Sequence, residues 1–509
     1  MTIEGSHARG LEDRTPVVVA AAQRTQKSVD PGEALGPLEL MEACAREAAD
    51  ACGGGRRLLA AIDRLAVVDA IGWRWRNAPA LLAERLGARP REAFQTVVGG
   101  NVPQRFLNET ARRVAGGECR VALVAGAEAI HSLRRARRAG VRPAWEAGGE
   151  GEPARFGEAK AGTSELENRA GLTLPPIVYP LFENALRARC GETIDAHRAR
   201  LGRLMAGFAA VAARNPRAWF REARSAAEIA APSADNRMIS FPYPKYMNAI
   251  LDVDQGAAAI VASAGAARAL GIPEERFVYW WGGGDAIEEA WFPTERPDLS
   301  RAPALCRAGA QALAEAGLAI DEIDVLDLYS CFPVAVQMAR EALGIGEDDA
   351  RELTVTGGLP YAGGPGNAYT LCSLASLAER LRARPGAKGL LTGVGWYMTR
   401  HSVGVFASAP PPSARSAKAL EPNVPAPPPA VAVVGDATGS ATIESYTVVH
   451  ERDGAPARGI VVARLADGRR CLAHTPTDRD VLEALERAEG VGRRGRLSAG
   501  EPVARFDLD

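Results

Sequence analysis

The chain has 509 residues, 47 % of them hydrophobic, which is enough for a large buried core and for two to four domains. Its 61 Lys and Arg residues nearly balance its 62 Asp and Glu residues, and the formal charge of −1 argues against a dedicated nucleic-acid binder. No stretch approaches the roughly 20 apolar residues of a membrane-spanning helix, and residues 1–15 are too polar for a signal peptide, so we expect a cytoplasmic protein.

Three segments near the start of the chain recur in the same order further on. Residues 17–22 (VVVAAA) recur as 277–281 (FVYWW), 62–69 (IDRLAVVD) as 323–329 (IDVLDLY), and 117–126 (GECRVALVAG) as 386–393 (GAKGLLTG). The third segment of each copy follows a stretch with helical periodicity, at residues 105–114 and 369–383. Such a repeat predicts two tandem α/β halves.

We expect a polar tail at residues 1–14 and a first half at 15–130. Residues 246–408 contain first the rest of the first half, to about residue 270, and then the second half.

An insertion with a different amino-acid composition occupies residues 131–245. Its part 146–165 is rich in Gly, Glu and Ala and predicts a mobile loop, whereas 179–213 predicts helices. His197 falls on a polar helix, where we expect it at the surface. The basic run 134–138 (RRARR) is either a solvated helix face or a phosphate contact.

Eight prolines between positions 410 and 429 predict a semi-rigid linker at 409–430 and a separate domain at 431–509. The alternation of apolar residues predicts strands, with one helix among them: strands at 442–450, 458–466 and 469–473, a helix at 478–488, and a closing strand at 495–506. This order predicts a small OB-like β-barrel. Tyr446 is the only aromatic residue in its early strands, so nucleic-acid binding has little support.

Four short segments look like loops of one active site: 98–104 (VGGNVPQ), 329–332 (YSCF), 357–367 (GGLPYAGGPGN) and 391–396 (LTGVGW). On these segments and the tandem halves, residues 15 to about 408 resemble the thiolase superfamily. With the C-terminal domain, the whole layout resembles the bacterial type 1 thiolase-like proteins. The resemblance implies two βαβαβαββ halves in a five-layer arrangement, with the insertion 131–245 as a loop domain over the active site.

The resemblance also implies three catalytic positions, and each is a glycine here. The nucleophilic cysteine of thiolases falls on Gly100, the histidine of their Gly-His-Pro turn on Gly364, and the second cysteine, in a Cys-x-Gly turn, on Gly393. A helix N-terminus would suit a thiolate and a thioester oxygen, but the thiol is missing. We therefore expect no cysteine-based thiolysis or Claisen condensation.

Tyr329 is the strongest candidate for chemistry that survives, because it leads the box 329–332 where the family places a polar side chain in the site. Two interpretations stay open for it: an acid or base with a shifted pKa, or a packed tyrosine with one hydrogen bond. His401, beyond the Gly393 turn, is likewise either catalytic or structural. Cys331 and Cys372 are displaced nucleophiles or buried, inert thiols.

Polar groups next to the emptied positions form a second set of candidates. Asn101 and Asn367 each follow such a position and could donate hydrogen bonds to a thioester oxygen, so Asn367 joins Tyr329 and His401 as a catalytic candidate. Asn101, Gly363 and Tyr361 are candidates for ligand binding. The eight cysteines lack Cys-x-x-Cys spacing and the six histidines do not cluster with them, so neither a zinc site nor a disulfide framework is expected.

Two classes of function follow from the resemblance. The first is an enzyme of the acyl-CoA acyltransferase superfamily, labelled acetyl-CoA acetyltransferase by resemblance and tied to lipid metabolism, that makes or breaks a carbon–carbon bond of a coenzyme A thioester with Tyr329. Tyrosine-based retro-aldol cleavage is the alternative reaction. The second is a non-catalytic scaffold that binds an acyl-CoA. In either case acyl-CoA is the ligand and no further cofactor is expected. The family usually forms dimers through the strand placed here at 121–125, and the C-terminal domain could instead engage a protein partner.

Overall fold

The structure is a computed structural model that describes residues 12–27, 29–412 and 428–509. The predicted tail at 1–14 and linker at 409–430 lie mostly outside the described residues. The strands are β1 (Pro16–Thr25), β2 (Arg64–Val67), β3 (Glu92–Thr96), β4 (Val121–Ala129), β5 (Ala154–Phe156), β6 (Met238–Ser240), β7 (Tyr243–Pro244), β8 (Asp254–Ser263), β9 (Val278–Ile287), β10 (Val325–Asp327), β11 (Lys388–Gly395), β12 (Arg400–Ala407), β13 (Val433–Val434), β14 (Gly439–His450), β15 (Pro456–Arg464), β16 (Arg470–His474), β17 (Arg494–Ser498) and β18 (Ala504–Leu508).

The α-helices alternate with these strands in the body and are confined to one segment of the C-terminal part. They are α1 (Pro37–Ala51), α2 (Gly55–Ala60), α3 (Ala78–Leu86), α4 (Val102–Gly116), α5 (Ile130–Ala139), α6 (Glu165–Arg169), α7 (Pro175–Arg189), α8 (Ile194–Arg214), α9 (Ala226–Ala230), α10 (Ala264–Ala269), α11 (Pro303–Ala316), α12 (Pro333–Leu343), α13 (Tyr369–Arg382) and α14 (Arg479–Arg487).

The large sheet of the body confirms the tandem repeat. Its order is β10-β11-β12-β9-β1-β8-β4-β2-β3-β5 among the described strands. In the first half β8 runs antiparallel to both of its neighbours, β1 and β4, and β2 runs parallel to β4. In the second half β9, β12, β11 and β10 repeat that pattern. The two halves therefore meet at β1 and β9, related as two copies of one unit.

Helices on both faces give the body its layers. Helices α4 and α13 pack between the halves and contact strands of both, α1 covers the outer face of the first half, and α11 covers that of the second. Glycines on β9 allow the close approach of α11: a Cβ at Gly282 would lie 2.6 Å from the Ala312 carbonyl oxygen and 2.8 Å from the Ala316 nitrogen. The α/β fold class predicted from the sequence is thus confirmed.

The order of the strands in the first half corrects two expectations. Strand β4, where we expected a dimer contact at residues 121–125, is an interior strand with β2 on one side and β8 on the other, so its hydrogen-bonding edges are used within the chain. The segment 146–165, predicted to be a mobile loop, contributes β5, which pairs in parallel with β3. Strand β5 thereby covers the outer edge of β3.

The insertion carries α7 and α8, and a buried polar network joins them to the body. His197 was expected at the surface, but it is 1 % exposed, because its two ring nitrogens contact Glu183 Oε1 (2.8 Å) and Glu192 Oε2 (2.6 Å). The hydroxyl of Tyr243 donates to Glu183 (2.6 Å), as does the amide of Gln337 on α12. These bonds hold α7 and α8 in a fixed position over the second half.

The C-terminal part is a closed five-stranded barrel, as predicted. Strand β14 pairs with β15, β15 with β16, β16 with β18, β18 with β17, and β17 with β14. Helix α14 follows the third strand, which is the OB order of elements. The predicted closing strand at 495–506 is in fact two strands, β17 and β18, because residues 499–503 form a turn.

The barrel docks on the body through β14 and α7. The Asn184 amide donates to the Tyr446 carbonyl (2.9 Å), the Thr447 hydroxyl donates to the Phe241 carbonyl (3.0 Å), and Val449 pairs with Ser240 of β6. The surface of β14 is therefore occupied by the body. In the described ranges no helix is long and apolar enough to cross a membrane.

Candidate functional site

The loop before α4 places Gly100 at the start of a helix, directly against Tyr329. A Cβ at Gly100 would lie 2.8 Å from Tyr329 Cζ and 2.7 Å from the Val394 carbonyl oxygen, and it would be closer still to Tyr329 Oη. Real Cβ atoms essentially never come this close to other heavy atoms. The phenol of Tyr329 thus occupies the space that a side chain at position 100 would need.

Tyr329 is held in place from several sides. Its amide donates to Thr392 Oγ1 (2.8 Å), and its ring meets the Tyr369 ring edge-on at 5.4 Å. Burial, and next the neighbouring Cys331 thiol, raise the pKa of the Tyr329 hydroxyl well above its usual value. At neutral pH the hydroxyl therefore keeps its proton, which suits a hydrogen-bond donor and disfavours a general base.

Gly393, the position predicted for the second cysteine, also has no room for a side chain. A Cβ at Gly393 would lie 2.9 Å from Asn101 Cα and 3.0 Å from Thr370 Cγ2. The Thr370 hydroxyl also donates to the Gly100 carbonyl (2.8 Å), so it fixes the Gly100 turn. Gly100 and Gly393 therefore face each other through packed atoms rather than across an open site.

The position predicted for the histidine is lined by main chain and leucine. The Gly364 amide donates to the Ile250 carbonyl (2.9 Å), and a Cβ there would lie 3.3 Å from Leu359 Cδ2. Gly363 has φ +114°, and a side chain on it would meet Gln255. Tyr361 is 1 % exposed, and its hydroxyl finds no hydrogen-bond partner among the described residues.

The two asparagine candidates, Asn101 and Asn367, form hydrogen bonds within the protein. The Asn367 amide donates to the Asp69 carbonyl (2.8 Å), and its oxygen accepts from the Gly99 amide (2.9 Å). Both polar groups of Asn367 thus have a partner, and these bonds position the loop before α4, while the amide nitrogen carries a second N–H. Asn101 donates to Ser402 Oγ (3.2 Å), while its buried oxygen has no partner within the described part of the chain.

His401 lies on the opposite face of the sheet from this cluster. It neighbours Ser402 on β12, and successive side chains of a strand point to opposite faces, so the contact of Ser402 with Asn101 places His401 on the far side. Its Nε2 contacts the Met398 carbonyl (2.9 Å), and burial lowers its pKa to about 3. The structure does not bring His401 together with Tyr329 and Gly100.

The thiols near the site are buried and poorly ionised. Burial raises the pKa of Cys331 to about 12 and that of Cys372 also to about 12. Thiols with such pKa values are inert at neutral pH, since the thiolate is the reactive form. All eight cysteines lie in described residues and are free, and the described residues hold no cluster of His, Cys, Asp and Glu that would bind a metal ion.

A cavity of ≈ 690 Å³ adjoins the Gly99-Gly100 loop, and the sequence motifs gave no direct sign of it. Val98 and Trp396 belong to its lining, as do three cations, Arg74, Arg155 and Lys160, and the carboxylates of Asp69 and Glu158, of which Asp69 pairs with Arg74 (3.1 Å). Trp396 has φ +54°, an unusual value for a non-glycine residue. The Gly-x-Gly-Trp sequence at 393–396 was the one available signal, since it marks a turn that presents an indole.

The cavity wall is stiffened by aromatic and cationic side chains. Trp291 donates from its indole nitrogen to the Ala161 carbonyl (2.6 Å), and Lys160 Nζ and the Arg400 guanidinium lie 4.5 and 4.6 Å from its ring centre. Arg400 donates to the Glu158 carbonyl (2.8 Å). The segment 157–161 is therefore anchored to the second half, with its Lys160 side chain exposed.

The chain is similar to known proteins at the level of sequence and of structure. The sequence model of one family, the additional C-terminal domain of thiolase-like protein type 1, matches residues 420–501. No curated protein matches the chain. The crystal structure of a monomeric SCP2-thiolase-like protein type 1 (STLP1) from Mycobacterium smegmatis is 34 % identical, with a TM-score of 0.82, and the match covers 98 % of this chain and 99 % of that one.

Two solved structures with lower identity share the fold alone. An acetyl-CoA acetyltransferase from Syntrophomonas wolfei is 15 % identical with a TM-score of 0.53, and the match covers 78 % of this chain and 99 % of that one. A chain of an Ltp2-ChsH2(DUF35) aldolase is 18 % identical with a TM-score of 0.56, covering 77 % of this chain and 97 % of that one.

Proposed function

Since the chain belongs to the family of SCP2-thiolase-like proteins of type 1, we propose that it binds a coenzyme A thioester and leaves the thioester bond intact. The observation that carries this proposal is the packing of Tyr329 against Gly100. A thiolase needs a thiolate at that position, and here a neutral phenol fills the space. Binding without acyl transfer is the function that this arrangement supports best.

We place the coenzyme in the cavity beside Val98 and Trp396. Its volume lies in the range of ligand pockets, and it reaches the loop that ends at Gly100. The side chains of Arg74, Arg155 and Lys160 suit phosphate oxygens, which arginine and lysine bind by charge-assisted hydrogen bonds. The indole of Trp396 offers a flat apolar surface for the uncharged part of the ligand.

A second candidate function is cleavage of a carbon–carbon bond with Tyr329 as the acid. The placement of a hydroxyl in the nucleophile's space favours it, because that group would then face the reacting carbon. The raised pKa of Tyr329 restricts this role to proton donation, so another group would have to take the substrate's proton. The Cys331 thiol beside Tyr329 is itself protonated at neutral pH and cannot take that proton, which leaves binding as the first proposal.

The chain is proposed to act as a monomer. The described sheet ends at β5, which has only three residues, and so short an edge strand offers little ladder to a second copy. The relative from M. smegmatis is itself described as monomeric. Light scattering at micromolar concentration should give a mass near 53.7 kDa, and a mass twice as large would contradict the proposal.

Calorimetric titration with acetyl-CoA, coenzyme A and dephospho-coenzyme A tests the binding proposal. We expect all three to bind, and the double variant Arg155→Met, Lys160→Met to weaken binding about tenfold, because two phosphate contacts worth about 0.7 kcal/mol each would be lost. Lys245→Met is the matched control, an exposed lysine outside this cavity. Unchanged affinity in the double variant would show that the coenzyme binds outside this cavity. No binding by the wild type would refute the proposal.

A further inference from the structure

A second cavity lies at the junction of the body and the barrel, and its lining shares no residue with the cavity beside Val98. Its volume is ≈ 470 Å³. It is bounded by the segment after β9, the start of α11 and one side of α12. The apolar part of its lining consists of Ala290, Pro297, Ala302, Pro303, Cys306, Met338, Ala342 and Pro428.

One buried cation, Arg296, forms part of this lining. It is 3 % exposed, and its guanidinium lies 4.9 Å from the centre of the Phe182 ring. Its Nη2 donates to two uncharged oxygens, the Tyr397 carbonyl and the Thr399 hydroxyl (3.0 Å). Its Nε, which is also buried, has no hydrogen-bond partner in the described ranges. A buried donor without an acceptor is costly, so this group would gain from an anion nearby.

A buried carboxyl group, Glu288, lines the same cavity. It is 5 % exposed, and its Oε1 accepts from the Ala304 amide (2.9 Å). Burial raises the pKa of Glu288, with Arg296 as the largest opposing influence, so the protonated form is favoured compared with an exposed glutamate. A protonated carboxyl can donate a hydrogen bond to an anion, and it leaves the charge of Arg296 available.

The barrel fixes the wall that carries Arg296. Arg470 of β16 is fully buried and donates through Nη1 to the Thr294 carbonyl (2.7 Å) and the Arg296 carbonyl, and through Nη2 to the Pro297 carbonyl (3.3 Å). The Val431 amide donates to the Glu295 carbonyl (2.8 Å). The cavity is therefore shaped by both parts of the molecule, a common place for a ligand site.

We propose that this cavity binds an apolar monocarboxylic acid, with the carboxylate at Arg296 and the hydrocarbon chain against the alanine, proline and methionine walls. A single negative charge matches one buried guanidinium. A phosphate group fits less well, because Glu289, Asp298 and Glu341 lie at the rim and would repel a multiply charged group. Of these, Asp298 and Glu341 pair with Arg301, which reduces the repulsion that a single carboxylate meets.

The proposal is tested by titrating the full chain with straight-chain carboxylates from butanoate to decanoate, together with octan-1-ol and octylamine. Affinity should rise about fourfold for each added methylene until the cavity is full, since each buried methylene contributes about 0.8 kcal/mol. Octanoate should bind at least tenfold more tightly than octanol or octylamine. Equal binding of octanol would show that Arg296 is not the anchor and would overturn the proposal.

Two variants and one control test where octanoate binds. Ala342→Trp adds an indole to the cavity wall on α12 and should abolish octanoate binding. Ala314→Trp, on α11 and outside the cavity lining, is the matched control and should bind as the wild type does. Octanoate binding that survives Ala342→Trp would put the site elsewhere. Arg296→Met should remove the preference for octanoate over octanol, and a variant that keeps this preference would refute the assigned anchor.

Discussion

Replacing Gly100 by alanine probes whether Tyr329 fills the nucleophile position. The added Cβ would lie 2.7 Å from the Val394 carbonyl oxygen and 2.8 Å from Tyr329 Cζ, with Tyr329 Oη nearer still. The carbonyl belongs to strand β11 and cannot retreat freely, so the phenol has to move. Overpacking of this kind costs about 1–3 kcal/mol, and we expect the free energy of unfolding to fall by that amount.

The contribution of Tyr329 is isolated by a double-mutant cycle. Tyr329→Phe removes the closest atom of the clash, so Gly100→Ala should cost about 1 kcal/mol less in that background. Gly207→Ala is the matched control, because a Cβ there meets no atom within 4 Å, and it should be neutral or stabilising by about 0.5–1 kcal/mol. Urea unfolding followed by circular dichroism gives all these values. A Gly100→Ala variant as stable as the wild type would refute the reasoning.

Three further predictions concern buried polar groups. Because burial lowers the pKa of His401 to about 3, the unfolded chain takes up a proton first as the pH falls below 6.5, and the free energy of unfolding should drop by on the order of 5 kcal/mol between pH 6.5 and 3. Urea titrations across this range should show a flatter profile for His401→Gln, and an unchanged profile would contradict the burial. Burial also raises the pKa of Glu128 to about 7, so the folded state keeps a proton that the unfolded chain releases, and stability should fall by on the order of 3 kcal/mol from pH 4.5 to 7 in the wild type but not in Glu128→Gln. Arg470→Met should cost about 3 kcal/mol in thermal or urea unfolding, because three carbonyls lose their donor at about 1 kcal/mol each while Glu444 keeps its pair with Arg464, and a loss below 1 kcal/mol would show that Arg470 does not tie the barrel to the body.

Much of the architecture can be predicted because the apolar residues of its strands and helices recur with a regular local spacing. The repeat of three apolar segments predicts β1, β2 and β4 together with β9, β10 and β11, since each segment is a buried strand. The barrel strands β14, β15 and β16 follow from alternation and from Asp-Gly turns. Strand β5 is missed because it has three residues, of which two are exposed, and it depends on pairing with a strand 60 residues away.

The site is predictable in its positions and less so in its contacts. Glycines at 100, 364 and 393 are visible in the sequence, and so is the loss of reactive groups. The packing of Tyr329 on Gly100 joins residues from different halves, and no local pattern encodes it. His401 was a candidate because it follows the Gly393 turn, but the one-residue alternation of β12 turns it to the other face, and Ser402 reaches Asn101 instead.

Intact-protein mass spectrometry after incubation with acetyl-CoA, on the same samples used for the binding titration, tests the central claim most directly. The account predicts saturable binding, an unmodified protein mass and unchanged acetyl-CoA, because the phenol of Tyr329 fills the nucleophile position and the thiols of Cys331 and Cys372 stay protonated. A protein heavier by one acetyl group, with the group located on a cysteine, would contradict it.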